Sequence, residues 1–228
     1  MAKKKKKKRV LKIKNICIFI GTLILLIGLI YYIITMPIKN IYIKGNNIIS
    51  DNEILESTNL YKYPSFILTN KKALIKSIKK NPYIKTVSIN KKLGNIIEIN
   101  IEEYLPISIT NEDKIVIDNG TILENSYNLM DLPILSSNID NKDIYNNFTN
   151  KFSKINSNIL RQISQIEYSP IEVDEDRFLL YMNDTNLVYI TLTKINKMNK
   201  YNKIKDVLEG KTGIIYLDSG NYVELKNG

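Results

Sequence analysis

Residues 16–36 read ICIFIGTLILLIGLIYYIITM, with no charged side chain from Ile16 to Met36. As a helix, about 21 residues at about 1.5 Å each reach roughly 31 Å, the thickness of a bilayer's hydrocarbon core. About a dozen Ile, Leu and Phe side chains, each contributing roughly −0.3 to −0.6 kcal/mol to insertion, outweigh the polar remainder. The flanks set an orientation. Lys3, Lys4, Lys5, Lys6, Lys7, Lys8, Arg9, Lys12 and Lys14 precede the run without an acid among them, whereas Lys39 and Lys44 are the only close charges after it. The positive-inside rule therefore predicts a cytoplasmic N-terminus, with everything after Pro37 on the far side. The run is longer than the roughly 7–15 residues of a signal-peptide core, and Ile34-Thr35-Met36-Pro37 lacks a small-residue cleavage site, so an uncleaved anchor is expected.

That basic tail also accounts for the net charge of +10. Setting its nine cations aside leaves 24 of the 33 Lys and Arg against 23 Asp and Glu, so the remainder is close to neutral. A nucleic-acid partner would need cations clustered on the folded part. These stand at the other end, where they fit a topology signal and attraction to anionic lipid headgroups. The chain has no His and a single Cys, Cys17, inside the apolar run. A His-based triad, a His or Cys metal cluster and a disulfide are therefore excluded beyond the membrane. No cofactor is expected.

After Pro37, Ile41 and Ile43 alternate with polar residues up to Gly45, which predicts a strand. Ser50 and Glu53 form a capping-box pattern before a helix whose inner stripe is Ile54, Leu55 and Thr58. A second helix is predicted from about Thr69 to Lys80, with stripe Leu74, Ile75 and Ile78, ending at Asn81-Pro82. Val87 and Ile89, then Ile97, Ile99 and Ile101, alternate on either side of Lys91-Lys92-Leu93-Gly94-Asn95, a hairpin pattern. The order strand, helix, helix, strand, strand implies an α+β unit with two helices on one face of a three-stranded sheet.

A second, β-rich region begins near Pro106. Strands are predicted at 106–110, 114–118 and 121–124, with Asp118-Asn119-Gly120 as a turn. Ile144, Phe148, Phe152, Ile155 and Ile159 predict one helix by their spacings of four and three. Strands at 163–168, 178–182 and 187–191 follow, then a helix over about 194–208, and last strands at 214–218 and 222–225 around Ser219-Gly220-Asn221. The expected division is a basic tail (1–15), a membrane helix (16–36), a first domain (37–104) and a β domain (105–228).

Three strings match the penicillin-binding transpeptidase set: Ser77-Ile-Lys-Lys80, Ser50-Asp51-Asn52 and Lys211-Thr212-Gly213. In those enzymes the nucleophile motif comes first along the chain; here Ser50-Asp51-Asn52 precedes it. A helix cap, a mid-helix serine and a loop after a helix explain the three locally.

The order of anchor, Ile38 to Glu103, then the β-rich region resembles the bacterial cell-division family FtsQ/DivIB, and its first domain resembles a POTRA domain. The strings that carry the likeness are Ile41-Tyr42-Ile43-Lys44-Gly45-Asn46, Asn81 to Ile89 (NPYIKTVSI) and Glu102-Glu103-Tyr104-Leu105-Pro106-Ile107, with weaker echoes at Ile117 to Leu123 and Leu132 to Leu135. One departure is Gly94, where the family often has Pro in the hairpin turn. The resemblance implies a single-pass protein at the division septum, with its domains extracytoplasmic. It implies a non-enzymatic scaffold that binds FtsB/DivIC-like and FtsL-like membrane proteins and helps control septal peptidoglycan synthesis. Two rival readings are a POTRA-bearing translocation or envelope-assembly protein, for which repeated POTRA copies or a barrel are missing, and a membrane-anchored peptidoglycan enzyme.

A partner site is expected at the last strands, on Ile214, Tyr216, Tyr222, Val223, Glu224 and Leu225. The sequence runs only three residues past Leu225, so the final strand is expected to leave one edge uncovered, presenting unpaired N–H and C=O groups to which a partner strand can add. In the family this part of the β domain is where the FtsB/DivIC partner is expected. The simpler alternative is that Tyr222 and Val223 are sheet residues at a frayed terminus.

Overall fold

Helix α1 (Ile13–Thr35) stops two residues before Pro37, whose ring disfavours helical backbone at the residue before it. The computed structural model describes residues 13–226. Of the nine cations before the run only Lys14 falls in that range; Lys3 to Arg9 and Lys12 lie outside the described residues. Helix α1 begins three residues earlier than the apolar run and ends one residue before Met36. None of it is buried, and it is long and apolar enough to cross a membrane. The chain divides into two compact units between Glu103 and Tyr104.

In the first unit β1 (Asn40–Lys44), α2 (Asp51–Thr58), α3 (Lys71–Ile78), β2 (Ile84–Lys92) and β3 (Ile96–Glu103) follow the expected order. The sheet runs β1-β3-β2, β1 parallel and β2 antiparallel to the central β3. The alternation expected of β3 puts Ile97, Ile99 and Ile101 inside, and Ile54, Leu60, Leu74 and Ile78 are buried as well. Ser50 caps α2 by accepting from Glu53 N–H at 3.2 Å. The second helix starts at Lys71 rather than Thr69, because Asn70 Oδ1 accepts from the Lys72 and Ala73 N–H groups at 2.9 and 3.4 Å. Gly94 sits at φ +84° and Asn95 at φ +58°. Proline cannot reach that conformation, so this hairpin uses a turn from which proline is excluded.

One carboxylate organises the loop between β1 and α2. Glu103, 9 % exposed, accepts from the backbone N–H groups of Asn47 and Ile48 through Oε2 and of Ile49 through Oε1, at 2.9, 2.8 and 2.9 Å. The loop enters through Gly45 at φ +86°, where a Cβ would stand 2.1 Å from the Ile101 carbonyl oxygen. Only glycine lets the backbone pass that close to β3.

The second unit contains β4 (Pro106–Thr110), β5 (Lys114–Ile117), β6 (Ile122–Glu124), β7 (Ile134–Leu135), α4 (Lys142–Phe152), α5 (Ser157–Leu160) and β8 (Ile163–Tyr168). Next come β9 (Arg177–Met182), β10 (Leu187–Thr191), a 3₁₀ helix (Leu192–Lys200), α6 (Tyr201–Val207), β11 (Gly213–Tyr216) and β12 (Tyr222–Leu225). Among the described residues these strands form one nine-stranded sheet in the order β12-β11-β10-β9-β8-β7-β4-β5-β6. Phe148 and Phe152 of α4 meet Phe178 of β9 with ring centroids 5.3 and 5.8 Å apart, at the centre of a core that also holds Ile166, Leu180, Val188, Ile190 and Ile215.

Four expectations are corrected here. The 144–159 stripe is not one helix: α4 ends at Phe152, and α5 carries Ile159. Asn199 makes the break possible, its Oδ1 accepting from Asn156 N–H at 2.7 Å and its Nδ2 donating to the Lys154 carbonyl at 3.0 Å, so the interrupted ladder keeps partners. The helix expected over 194–208 is 3₁₀ in its first half. Leu192, Ile195, Met198 and Tyr201 are all at most 1 % exposed and stand three residues apart, the spacing that eclipses side chains at about 3.0 residues per turn. Strand β11 ends at Tyr216 rather than 218, since the Leu217 and Asp218 N–H groups both turn to the Tyr189 carbonyl, at 2.8 and 3.2 Å. Finally, β7 was not expected as a strand. Its two residues pair parallel with both β4 and β8 and join the two halves of the sheet.

Candidate partner-binding edge

Strand β12 is one end of the nine-stranded sheet, and its register on β11 sets Tyr216 opposite Tyr222, Ile215 opposite Val223, Ile214 opposite Glu224 and Gly213 opposite Leu225. This register divides the six expected site residues by strand alternation. Ile214, Tyr216, Tyr222 and Glu224 share the face away from the core. Val223 packs against the core beside Ile215, and Leu225 has the same parity but is about half exposed. Lys226 N–H donates to the Thr212 carbonyl at 2.9 Å. Antiparallel alternation then turns the N–H groups of Tyr222 and Glu224 toward β11 and those of Val223 and Leu225 away from the sheet. Among the described residues no strand pairs with that outer side.

The outward face carries a row of rings. Tyr189 of β10 stacks on Tyr216 at 5.4 Å between centroids, and Tyr216 stacks on Tyr222 at 4.6 Å with planes 14° apart. The row ends on the Arg177 guanidinium, 3.7 Å from the centre of the Tyr189 ring. Parallel pairing of β10 with β11 puts Tyr189 beside Tyr216, and the tight β11–β12 hairpin adds Tyr222. The Tyr216 hydroxyl donates to Glu224 at 3.2 Å; lost hydration, then this bond, push its pKa up.

Cations from two other elements hold the hairpin turn. Arg177 Nε donates to Asp218 Oδ2 at 2.7 Å, Lys194 Nζ donates to the Asp218 carbonyl, and Lys197 Nζ donates to the Leu217 carbonyl and Asn221 Oδ1 at 3.0 and 2.6 Å. At the other end of β11, Gly213 N–H donates to Asn186 Oδ1 at 2.8 Å, and Asn186 Nδ2 donates to the Tyr201 hydroxyl at 3.1 Å. The Tyr201 hydroxyl in turn donates to Asp184 at 2.8 Å; burial first, and then Asp184, push it far above the usual tyrosine range. The edge hairpin is thus held at its turn and at the start of β11.

A family model described as "POTRA domain, FtsQ-type" matches residues 36–104. The Cell division protein DivIB of Bacillus anthracis is 31 % identical over 231 residues, covering 97 % of this chain and 86 % of the relative. The chain belongs to the FtsQ/DivIB family of cell division proteins. DivIB of Bacillus subtilis (strain 168) is 29 % identical, over 90 % of this chain and 81 % of its own length. The solved major extracytoplasmic domain of DivIB from Geobacillus stearothermophilus is 23 % identical, with a TM-score of 0.39, over 47 % of this chain and 96 % of that one.

Sequence reasoning placed the edge hairpin of this DivIB relative but missed Arg177, Tyr189, Lys194, Lys197 and Asp218, which build and hold its face. A local signal existed for two of them: Lys194 and Lys197 stand three apart on the same 3₁₀ helix as the buried Leu192, Ile195 and Met198. The transpeptidase-like serines have structural roles. Ser77 Oγ donates to the Ser57 carbonyl, linking α3 to α2, and Ser50 caps α2.

Proposed function

We propose that this protein is a non-enzymatic scaffold of the division septum. In this reading α1 crosses the cell membrane once with its N-terminus in the cytoplasm, and the two units lie outside. The β12 edge takes up a strand from an FtsB/DivIC-like partner, an FtsL-like protein joins the same complex, and the assembly helps control septal peptidoglycan synthesis. Family membership supports the division role. The observation that supports the site is the outward row of Val223 and Leu225 N–H groups beside the Tyr216–Tyr222 stack: backbone bonds to such an edge supply affinity, and alternate side chains supply specificity.

The test measures binding of the full chain to the purified FtsB/DivIC-like partner. Tyr222→Ala is expected to cost about 2 kcal/mol, roughly thirtyfold in affinity. Leu225→Pro deletes an outward N–H and is expected to weaken binding with little change in melting temperature. Val223→Pro deletes another but also disturbs packing on the core. Unchanged affinity in both Tyr222→Ala and Leu225→Pro, with unchanged melting, places the site elsewhere.

A further inference from the structure

Two loops of the first unit are bonded to the point where the chain leaves α1. Ser65 Oγ donates to the Ile34 carbonyl, in the last turn of that helix, and Phe66 N–H donates to the Met36 carbonyl at 2.9 Å. Ile38 N–H donates to the Pro64 carbonyl at 3.0 Å, and Pro37 and Ser65 form an antiparallel bridge. From the other side, the tip of the β2–β3 hairpin contributes Asn95, whose Nδ2 donates to the Pro37 carbonyl at 3.0 Å and whose carbonyl accepts from Lys39 N–H at 2.9 Å. Residues 61–68 and 93–95 therefore sit level with the end of the apolar helix.

Both loops present apolar side chains to the outside. Leu93, at a hairpin tip where a polar residue is usual, is 97 % exposed, and Leu68 is 69 % exposed; Tyr61, Tyr63 and Ile67 are each about half exposed. Cations flank them. Lys62 Nζ lies 5.3 Å from the centre of the Tyr61 ring, and Lys91 Nζ lies 5.0 Å from that of Phe66 while donating to the Phe66 and Ile67 carbonyls. Along the chain, Lys62 lies within the first loop, Lys71 follows it, and Lys91 and Lys92 precede the hairpin tip, with no acidic residue from 57 to 97. Tyrosines and aliphatic side chains with lysines beside them make up the composition that settles at a membrane interface.

We propose that this face of the first unit, residues 61–68 with the 93–95 tip, rests in the headgroup layer of the bilayer that α1 crosses. The occupant is lipid rather than another protein, because the bonds to Ile34, Met36 and Pro37 place the patch at membrane height and its lysines match anionic headgroups. The unit is then docked at a fixed height and tilt instead of swinging on a tether. This rests on the reading of α1 as a membrane span, and the experiment separates the two.

The chain contains no tryptophan, so a single one reports its own depth. The full chain is reconstituted in phosphatidylcholine–phosphatidylglycerol vesicles with brominated acyl chains, as Leu68→Trp, Leu93→Trp, Lys85→Trp or Leu25→Trp. Lys85 lies seven residues along β2 from Lys92, about 20 Å toward the other end of the strand. Leu68→Trp and Leu93→Trp are expected to emit to the blue of Lys85→Trp and to be quenched at least about twofold more, as suits insertion of about 5–10 Å. Leu25→Trp is expected to be quenched most. If Leu25→Trp is quenched while both patch variants match Lys85→Trp, the docking proposal is overturned and the span stands. If Leu25→Trp is unquenched, both are overturned. Each substitution falls on an exposed side chain, and circular dichroism of each variant checks that the fold is kept.

Discussion

Arg177 Nε and Asp218 Oδ2 stand 2.7 Å apart, with their side chains only 12 % and 4 % exposed, joining the first residue of β9 to the turn that launches β12. The same guanidinium faces the Tyr189 ring, so one side chain supports both the turn and the outward row of rings. A charge buried this far is tolerated because its partner and its hydrogen bonds offset the lost hydration. Removing one member leaves the other unpaired. Arg177→Ala is accordingly expected to cost about 3–5 kcal/mol in denaturant unfolding. Arg177→Lys should recover only part of this, since an ammonium lacks the planar guanidinium that stacks on the ring while donating through Nε.

The same pair sets an acid sensitivity. Burial alone would raise the pKa of Asp218, but the hydrogen bonds from Arg177 and Ser219 and the charge of Arg177 outweigh it, and the net shift is downward. Asp184 is also shifted down: its burial is outweighed by hydrogen bonds from Tyr201, Lys205 and Asn186. A carboxyl with a lower pKa folded than unfolded binds more protons in the unfolded state. Its contribution is therefore complete above the unfolded value of about 3.9 and is lost as pH falls through the lower folded value. Unfolding free energy measured from neutral pH down to about pH 2 is expected to fall steeply only below about pH 4. Asp218→Asn should be less stable at neutral pH and show a shallower acid slope; an unchanged slope would remove Asp218 from this account.

Glu103 receives three backbone N–H groups, so Glu103→Ala is expected to unpin the loop between β1 and α2. Hydrogen bonds to a charged group are worth about 1.5–3 kcal/mol each when lost, and partial access of water to the loop reduces the sum to about 3 kcal/mol. Hydrogen exchange is the check: the amides of Asn47, Ile48 and Ile49 should lose protection together, while those of the second unit keep theirs.

At Gly213 a Cβ would meet the Glu224 carbonyl oxygen at 2.4 Å, so Gly213→Ala is expected to push β12 off β11. The cost of such overpacking is about 1–3 kcal/mol. Loss of the slow-exchanging Tyr222 and Glu224 amides, with retained protection in β8 to β10, is the expected pattern. By contrast, Gly210 has open space around it, and Gly210→Ala should pay only for its φ of +83°.

The flank charges predict topology directly. Protease added to intact protoplasts is expected to digest the region after Pro37 and spare the N-terminal tail, and neutralising Lys3 to Lys8 should scramble this orientation. Protection of the region after Pro37 in otherwise intact cells would reverse the assignment.

Contiguous residues were enough to read α1, the β2–β3 hairpin and the edge hairpin, because an uncharged run of membrane length and a two-residue alternation are properties of neighbours along the chain. They were not enough for β7, whose two residues carry no period and become a strand only because β4 and β8 pair with both sides of it. Nor could they show that α4 would stop at Phe152, since the partner that permits the break, Asn199, lies 43 residues beyond Asn156. The Tyr189–Tyr216–Tyr222 row has the same origin. Each tyrosine can be assigned a face from its own strand, but the parallel pairing of β10 with β11 puts the first two rings in contact, and Arg177 and Asp218 lock the turn that adds the third. The sequence by itself therefore determined the strongly periodic and apolar elements, through short-range periodicity and hydrophobicity; β7, the break after α4, the register between distant strands, and with it the composition of the candidate site, were decided by tertiary packing, because those contacts form only when segments tens of residues apart bury a common core.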